Sequence, residues 1–208
     1  MAREVTELVT MTFNPGTDQA DTVSRLYAII SRQEGFVWMK WGIWEENPSK
    51  VQLVITWTDM STHEKFAASG AEYAALFEVI AGILTANPFL IHVYFESGSD
   101  SLATLLEESP IVELATFFGI KDGFDEAVEQ TLSLGKTIDG CLGYTRGPVV
   151  EEIAPAGSEE KGKAHFAVTG WTSLGAHLEA RGREDVVESG GKVVGLLGGY
   201  EVCHVKFQ

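Results

Sequence analysis

Two glutamates, four histidines and a tyrosine are the residues of this chain whose types and spacing could move protons. Glu7 lies in a stretch from Val5 to Phe13 where Val5, Glu7, Val9 and Met11 alternate with Thr6, Leu8, Thr10 and Thr12, the pattern of a strand with two different faces. A carboxylate among apolar neighbours is expected to hold its proton more tightly than usual, so it can both take one up and give one back. His63 opens a helical stripe that continues through Phe66, Gly70, Tyr73, Phe77, Ile80 and Leu84, which turns its imidazole toward a sheet. A neutral imidazole beside an apolar pocket can serve as general base or acid near neutral pH. His92 and Tyr94 share one face of a strand, and Ile91, Val93 and Phe95 share the other. If the aliphatic face meets the helices, His92 and Tyr94 face the interior between two sheets, where they could hydrogen-bond a substrate carbonyl or enolate. Glu7, His63, His92 and Tyr94 are the candidate catalytic residues. Each also has a structural reading: the histidines and Tyr94 as braces between elements, and Glu7 as a strand-end acid facing water.

The elements that must position these groups occur twice. Glu7-Leu8-Val9-Thr10-Met11 returns as Glu113-Leu114-Ala115-Thr116-Phe117, and Gly35 and Gly42 return as Gly140 and Gly147. Trp57-Thr58 followed by His63 returns as Trp171-Thr172 followed by His177, and His92-Val93-Tyr94-Phe95 returns as His204-Val205-Lys206-Phe207. A repeat of roughly 100 residues is too long for a solenoid unit and marks a duplicated small domain. Each copy reads strand, helix, hairpin, long helix, strand. In the first, a capping-box pattern at Ser61-Thr62-His63-Glu64 opens a helix to about Ala86, and Asn87-Pro88 stops it. In the second, helices are expected over about 124–138 and 173–197, and a loop at Ala154–Gly162 lengthens the hairpin. The order βαββαβ predicts an α+β chain of two ferredoxin-like repeats whose antiparallel sheets pack into one fused α/β barrel. The expected domains are 1–97 and 110–208, joined by a linker at 98–109 that could be helical near Leu102–Leu106.

The copies differ most in their aromatic residues. Trp38, Trp41, Trp44 and Trp57 all fall in the first, with Phe66, Tyr73 and Phe77, whereas the second has Trp171 alone and sets Gly143 and Arg146 where Trp38 and Trp41 stand. Trp38, Trp41, Trp57, Phe66, Tyr73 and Phe77 are therefore the candidate substrate-binding residues of a flat apolar pocket, unless they simply fill a core. The last helix of the second copy carries Gly182, Gly190, Gly191 and Gly195, which lowers its intrinsic helicity. This asymmetry points to one working pocket in the chain.

Composition narrows the function classes. The 208 residues carry a formal charge of −15, which repels phosphate backbones and anionic headgroups, so neither nucleic acid nor membrane is an expected partner. With 45% hydrophobic residues there is material for a real core. Cys141 and Cys203, the only cysteines, fall at non-equivalent positions of the two copies, which suggests no built-in disulfide and a reduced, cytoplasmic setting. No phosphate loop, nucleophile elbow or metal-ligand spacing stands out.

The βαββαβ order, the unit length and the Trp-Thr-Asp-Met-Ser-Thr-His and Trp-Thr-Ser-Leu-Gly-Ala-His segments make the chain resemble the dimeric α/β-barrel superfamily, nearest its antibiotic-biosynthesis-monooxygenase and stress-responsive branches. The resemblance covers nearly the whole chain, which is similar to such a homodimer fused end to end. It implies an enzyme without cofactor or metal that acts on a hydrophobic, polyketide- or terpenoid-like small molecule. The implied chemistry is proton transfer: cyclisation, dehydration, isomerisation or decarboxylation. Cofactor-free monooxygenation is the alternative, and a non-catalytic binding or stress-responsive barrel is a second one. Haem-binding relatives leave His177 or His204 as haem ligands by analogy. The Tyr/His pair of the plant polyketide cyclases is not matched, since Phe66 and Glu72, or Ala180 and Val186, occupy those places. A homodimer of the fused chain stays open.

Overall fold

The computed structural model describes residues 3–96 and 101–208. Its first compact unit ends at Tyr94 and its second spans Phe95–Phe207. The first unit runs β1 (Val5–Thr12), α1 (Gln19–Ile30), β2 (Phe36–Trp44), β3 (Lys50–Trp57), α2 (Met60–Ala67), α3 (Ala71–Ile80) and β4 (Phe89–Val93). The second begins with α4 (Leu102–Glu108), then repeats the order: β5 (Ile111–Phe118), α5 (Phe124–Ser133), β6 (Cys141–Pro148), β7 (Ala164–Trp171), α6 (Leu174–Arg181), α7 (Glu184–Gly195) and β8 (Gly199–Phe207). Within the units the strands order β4-β1-β3-β2 and β8-β5-β7-β6, with antiparallel neighbours throughout. The class is α+β, and both halves are ferredoxin-like repeats.

Strand alternation decides which side chains the helices cover. In the first unit Val5, Val9 and Met11 of β1 join Val51, Leu53, Ile55 and Trp57 of β3 in one cluster with Val23, Leu26 and Ile30 of α1. Each such side chain contributes about 1.5–3 kcal/mol on burial. Glu7 has the parity of Val5 and Val9, so the same pleat that builds the core carries a carboxylate into it. In both repeats the hairpin's first strand slips register at one place, between Phe36 and Trp38 and between Cys141 and Gly143. The extra residue of such a bulge inverts the alternation beyond it.

Several boundaries differ from the sequence reading. The long helix of the first repeat is two helices, broken at Gly70, whose φ of 66° a residue with a Cβ would resist. Its partner in the second repeat breaks between Arg181 and Glu184. The capping residue of α2 is Asp59 rather than Ser61: its Oδ1 accepts from the Thr62 amide at 3.1 Å and from the Ser61 hydroxyl at 2.6 Å. Those bonds, the Ser61 one above all, hold the Asp59 carboxyl below its ordinary range. α5 tightens into a 3-10 turn at Leu134–Thr137. Of the expected linker, 98–100 lie outside the described residues, while Leu102, Leu105 and Leu106 of α4 are buried in the second unit.

Candidate active site

Glu7 and His92 are direct cross-strand partners on β1 and β4, and α2 places His63 above them. The three are buried, and their donor atoms lie within 4.8 Å of one another. His63 Nε2 is 3.5 Å from Glu7 Oε2, and His63 Nδ1 is 3.0 Å from His92 Nε2. Trp57 at the end of β3 donates its indole N–H to the same Glu7 oxygen at 2.9 Å. A neutral imidazole has one donor and one acceptor nitrogen. With Glu7 ionised, the tautomer that carries its N–H on His63 Nε2 faces the carboxylate across an ion-pair contact and accepts from His92 at Nδ1, which sets the three groups in line as a Glu–His–His relay.

The relay is built again in the second unit. Glu113 and His204 are cross-strand partners on β5 and β8, and His177 is the fourth residue of α6 as His63 is of α2. His177 Nε2 lies 3.2 Å from Glu113 Oε2, His177 Nδ1 lies 2.7 Å from His204 Nε2, and Trp171 donates to Glu113 at 3.2 Å. Burial pushes the Glu113 carboxyl above its ordinary pKa, partly offset by the Trp171 hydrogen bond and by the charges of His204 and Arg181.

Each carboxylate reaches the wall of a cavity between sheet and helices. The first repeat's cavity is about 720 Å³ and runs from Glu7 over Leu53 and Ile55 to Tyr73 and Phe77 of α3 and to Pro88. That volume falls in the usual range for small-molecule sites. Tyr73 keeps its phenolic proton beyond the ordinary range, because it is partly buried and because Glu7 is negative. The second repeat's cavity is about 250 Å³ and is lined by Glu113, Trp171, His177 and Arg181 among mostly apolar neighbours. Among the described residues, each repeat thus has a cavity with a carboxylate at its wall.

Of the candidate residues, Glu7, His63 and His92 come together, although His92 faces α2 and not the side away from the helices. Every side chain from Ile91 to Val93 is buried, so neither face of β4 was the obvious one. Tyr94 stands apart from the relay, with the Arg3 guanidinium 4.8 Å above its ring. Glu7 alone of the relay meets the cavity of the first repeat. Trp57 anchors Glu7, and Phe66 packs behind it at 5.9 Å, with Tyr73 edge-on to Phe66 at 5.3 Å. Tyr73 and Phe77 line the cavity; Trp41 packs on the core without lining it. Trp38 lies past the bulge, paired with Thr56 on the sheet face turned away from the cavity.

The sequence reading passed over one cluster altogether. Arg146 is buried and donates to Glu129 at 2.8 Å, pairs with Glu96 at 3.1 Å, and has His165 Nε2 3.2 Å away, while Tyr144 donates to Glu129 at 2.6 Å. The two hydrogen bonds hold the Glu129 carboxyl below its ordinary range. Arg146 was legible as the counterpart of Trp41, but its carboxylates come from distant segments. As for metals, Glu7, His63 and His92 form a two-histidine, one-carboxylate donor set, and an ion bound there would replace the proton shared by the two imidazoles.

No protein-family model matches the chain, and no curated protein matches it either. Solved structures do. An anthrone oxidase-like protein superposes with a TM-score of 0.74 at 15% identity, over 100% of this chain and 94% of its own. Two proteins described as candidate monooxygenases follow. That from Fusobacterium nucleatum subsp. nucleatum ATCC 25586 gives 0.64 at 10% identity over 99% and 93%. That from Lactobacillus acidophilus NCFM gives 0.62 at 12% identity over 99% and 94%. At these identities the likeness is one of fold. No helix among the described residues is long and apolar enough to cross a membrane. The resemblance read from the sequence is met in the structure, and the chain has the fold of monooxygenase-type and anthrone oxidase-like proteins with two repeats in one polypeptide.

Proposed function

We propose that the first repeat is the working centre of a cytoplasmic, cofactor-free oxygenase whose substrate is a polycyclic aromatic ketone with an acidic CH₂, of the anthrone type. The observation that carries this reading is the Glu7 carboxylate, held by Trp57 and backed by two histidines, at the wall of an apolar cavity of about 720 Å³. In the mechanism, Glu7 removes a proton from the CH₂, and His63 and His92 shift to accommodate the charge. Tyr73, kept protonated by burial and by the Glu7 charge, donates to the substrate oxygen on which the enolate charge collects. The carbanion passes one electron to O₂, and the two radicals join as a hydroperoxide on that carbon. Loss of the second C–H proton and cleavage of the O–O bond release water and leave a ketone, so CH₂ and O₂ become C=O and H₂O. The apolar walls exclude water from the carbanion.

Cyclisation, dehydration, isomerisation or decarboxylation of a polyketide-like molecule would begin with the same deprotonation, and a binding-only barrel would have no turnover. An oxygen electrode with anthrone as the probe separates all three. Oxygenation consumes one O₂ per anthrone, yields the quinone faster than the uncatalysed reaction, and persists with a chelator present. Glu7→Gln lowers the rate about 10²–10⁴-fold in a variant that stays folded at the assay temperature. A wild-type rate equal to the uncatalysed one, or a fully active Glu7→Gln, overturns the proposal. Loss of activity to the chelator would move the chemistry to a metal on the Glu7–His63–His92 set.

A further inference from the structure

The second repeat's cavity lies over the matching strands and α7 but also reaches Trp171, His177 and α6, where the first repeat's relay is covered. Helix positions that match by their place after the N-cap make the reason plain. Phe66, the seventh residue of α2, packs on Trp57 in the first repeat; the seventh residue of α6 is Ala180. Phe36 meets the Trp57 ring edge-on at 6.3 Å, and its counterpart opposite Trp171 is Cys141. Both aromatic covers are thus replaced by small side chains, and Trp171, His177, Cys141 and Ala180 all line the cavity. The sheet floor is lowered as well, since Val9 and Leu53 face each other in the first repeat and Ala115 and Ala167 in the second. The eighth residue of α6 is Arg181 where α2 has Ala67; it lines the same cavity and its charge is felt by Glu113.

A space of about 250 Å³ is well below the first cavity's 720 Å³ and under the roughly 300–1,000 Å³ of pockets that take drug-sized molecules, which favours a compact ligand over a polycycle. What remains is a compact apolar body with one polar end. A cation stands at one side of the relay, and the relay itself can receive a proton. We propose that the second repeat is a separate binding site for a small single-ring weak acid, a benzoic acid or a phenol, which sets its ionised oxygen against Arg181 and its acidic proton on the Glu113–His177 pair. The inference does not rest on the oxygenation reading, because no residue of the first cavity takes part in it.

The test is calorimetric titration of the whole chain with benzoate and, separately, phenol. Wild type binds one equivalent of at least one of them; benzoate alone marks a carboxylate site and phenol alone a phenol site. Arg181→Ala, which restores the first repeat's residue at an exposed position, weakens binding about tenfold or more. Ala180→Phe restores the aromatic cover and abolishes binding. Glu7→Gln leaves it unchanged. No binding by wild type, binding that survives Arg181→Ala at full strength, or binding lost in Glu7→Gln each overturns the proposal. Should Ala180→Phe fail to fold, Arg181→Ala still decides.

Discussion

The two repeats keep one quartet and change almost everything around it. Glu7, Trp57, His63 and His92 are matched by Glu113, Trp171, His177 and His204, with the same donors, acceptors and strand register. Around them, Phe36, Phe66 and Ala67 become Cys141, Ala180 and Arg181, and the cavity, walled by α3 in the first repeat and by its counterpart α7 in the second, extends in the second onto α6. A buried carboxylate, two imidazoles and an indole are coupled to one another by hydrogen bonds and close charge contacts, so changing one member is felt by the rest; covering side chains carry no such coupling. The lesson is that the quartet is a self-consistent polar unit, and that specificity is set by which neighbours leave it uncovered.

The largest expected effect breaks this comparison directly. Glu7→Gln should cost about 10²–10⁴ in oxygenation of a polycyclic probe, and Glu113→Gln far less, measured by oxygen uptake on purified variants of equal unfolding temperature. Equal losses would mean that both repeats turn over the same substrate and that the cavity difference is incidental.

The next comparison is between His165 and Val51, which occupy matching places on β7 and β3. Burial foremost, and then the Arg146 charge, lowers the His165 pKa from 6.5 to about 4, with Asp125 opposing. Between those values the unfolded chain binds a proton that the folded chain refuses, so stability is full above about pH 6.5 and falls as the pH drops toward 4. The loss should approach about 3 kcal/mol. His165→Val, which installs the first repeat's residue, should flatten that part of the pH profile of chemical denaturation. An unchanged slope would show that acid sensitivity comes from another group.

How much of this was readable in advance follows from the physics of each feature. The duplication, the element order and the nomination of Glu7, His63 and His92, which the structure brings together, were legible, because each rests on local periodicity or on residues repeated at fixed spacing. The face of His92 was not, since Ile91, His92 and Val93 are all buried and alternation carries no contrast there. Trp38 was misplaced by a bulge that adds one residue to β2 without a Pro or an Asn-Gly to announce it. The Phe66-to-Ala180 change was visible as a pair of letters, but that it uncovers His177 emerges only once Trp57 and Phe66 are seen in contact. The role of Trp41 rested on counting aromatic residues, which does not distinguish a cavity wall from a core, and that of Tyr94 on the strand face it shares with His92.

Gly35 and Gly140 test whether the two quartets are held alike. They have φ of 82° and 86°, and their carbonyls accept from Thr58 and Thr172 at 2.8 and 2.9 Å, fixing the turn that leads into the histidine-bearing helix. A Cβ on Gly35 would overlap the Thr62 side chain, and one on Gly140 would lie 2.7 Å from Ala176 Cβ. Either glycine changed to alanine should lose about 2 kcal/mol, read by denaturant titration. A tolerant Gly140 would mean that α6 gives way where α2 cannot.

The smallest effect concerns the helices that wall the two cavities. α3 reads Ala71-Glu72-Tyr73-Ala74-Ala75-Leu76, strong helix formers, whereas α7 carries Gly190 and Gly191 in its interior. Close packing does not require those glycines, because a Cβ at either would meet nothing within 4 Å. Each therefore leaves α7 about 1 kcal/mol less stable than alanine would. Gly191→Ala, at an exposed position, should raise the melting temperature by about 2–4 °C. If the softness of α7 serves to admit ligand to the second cavity, Gly190→Ala at the cavity wall should also slow benzoate association in stopped flow, leaving oxygen uptake by the first repeat untouched. A higher melting temperature with an unchanged association rate would make the glycines a tolerated weakness, and the contrast between the repeats would then lie in their cavities alone.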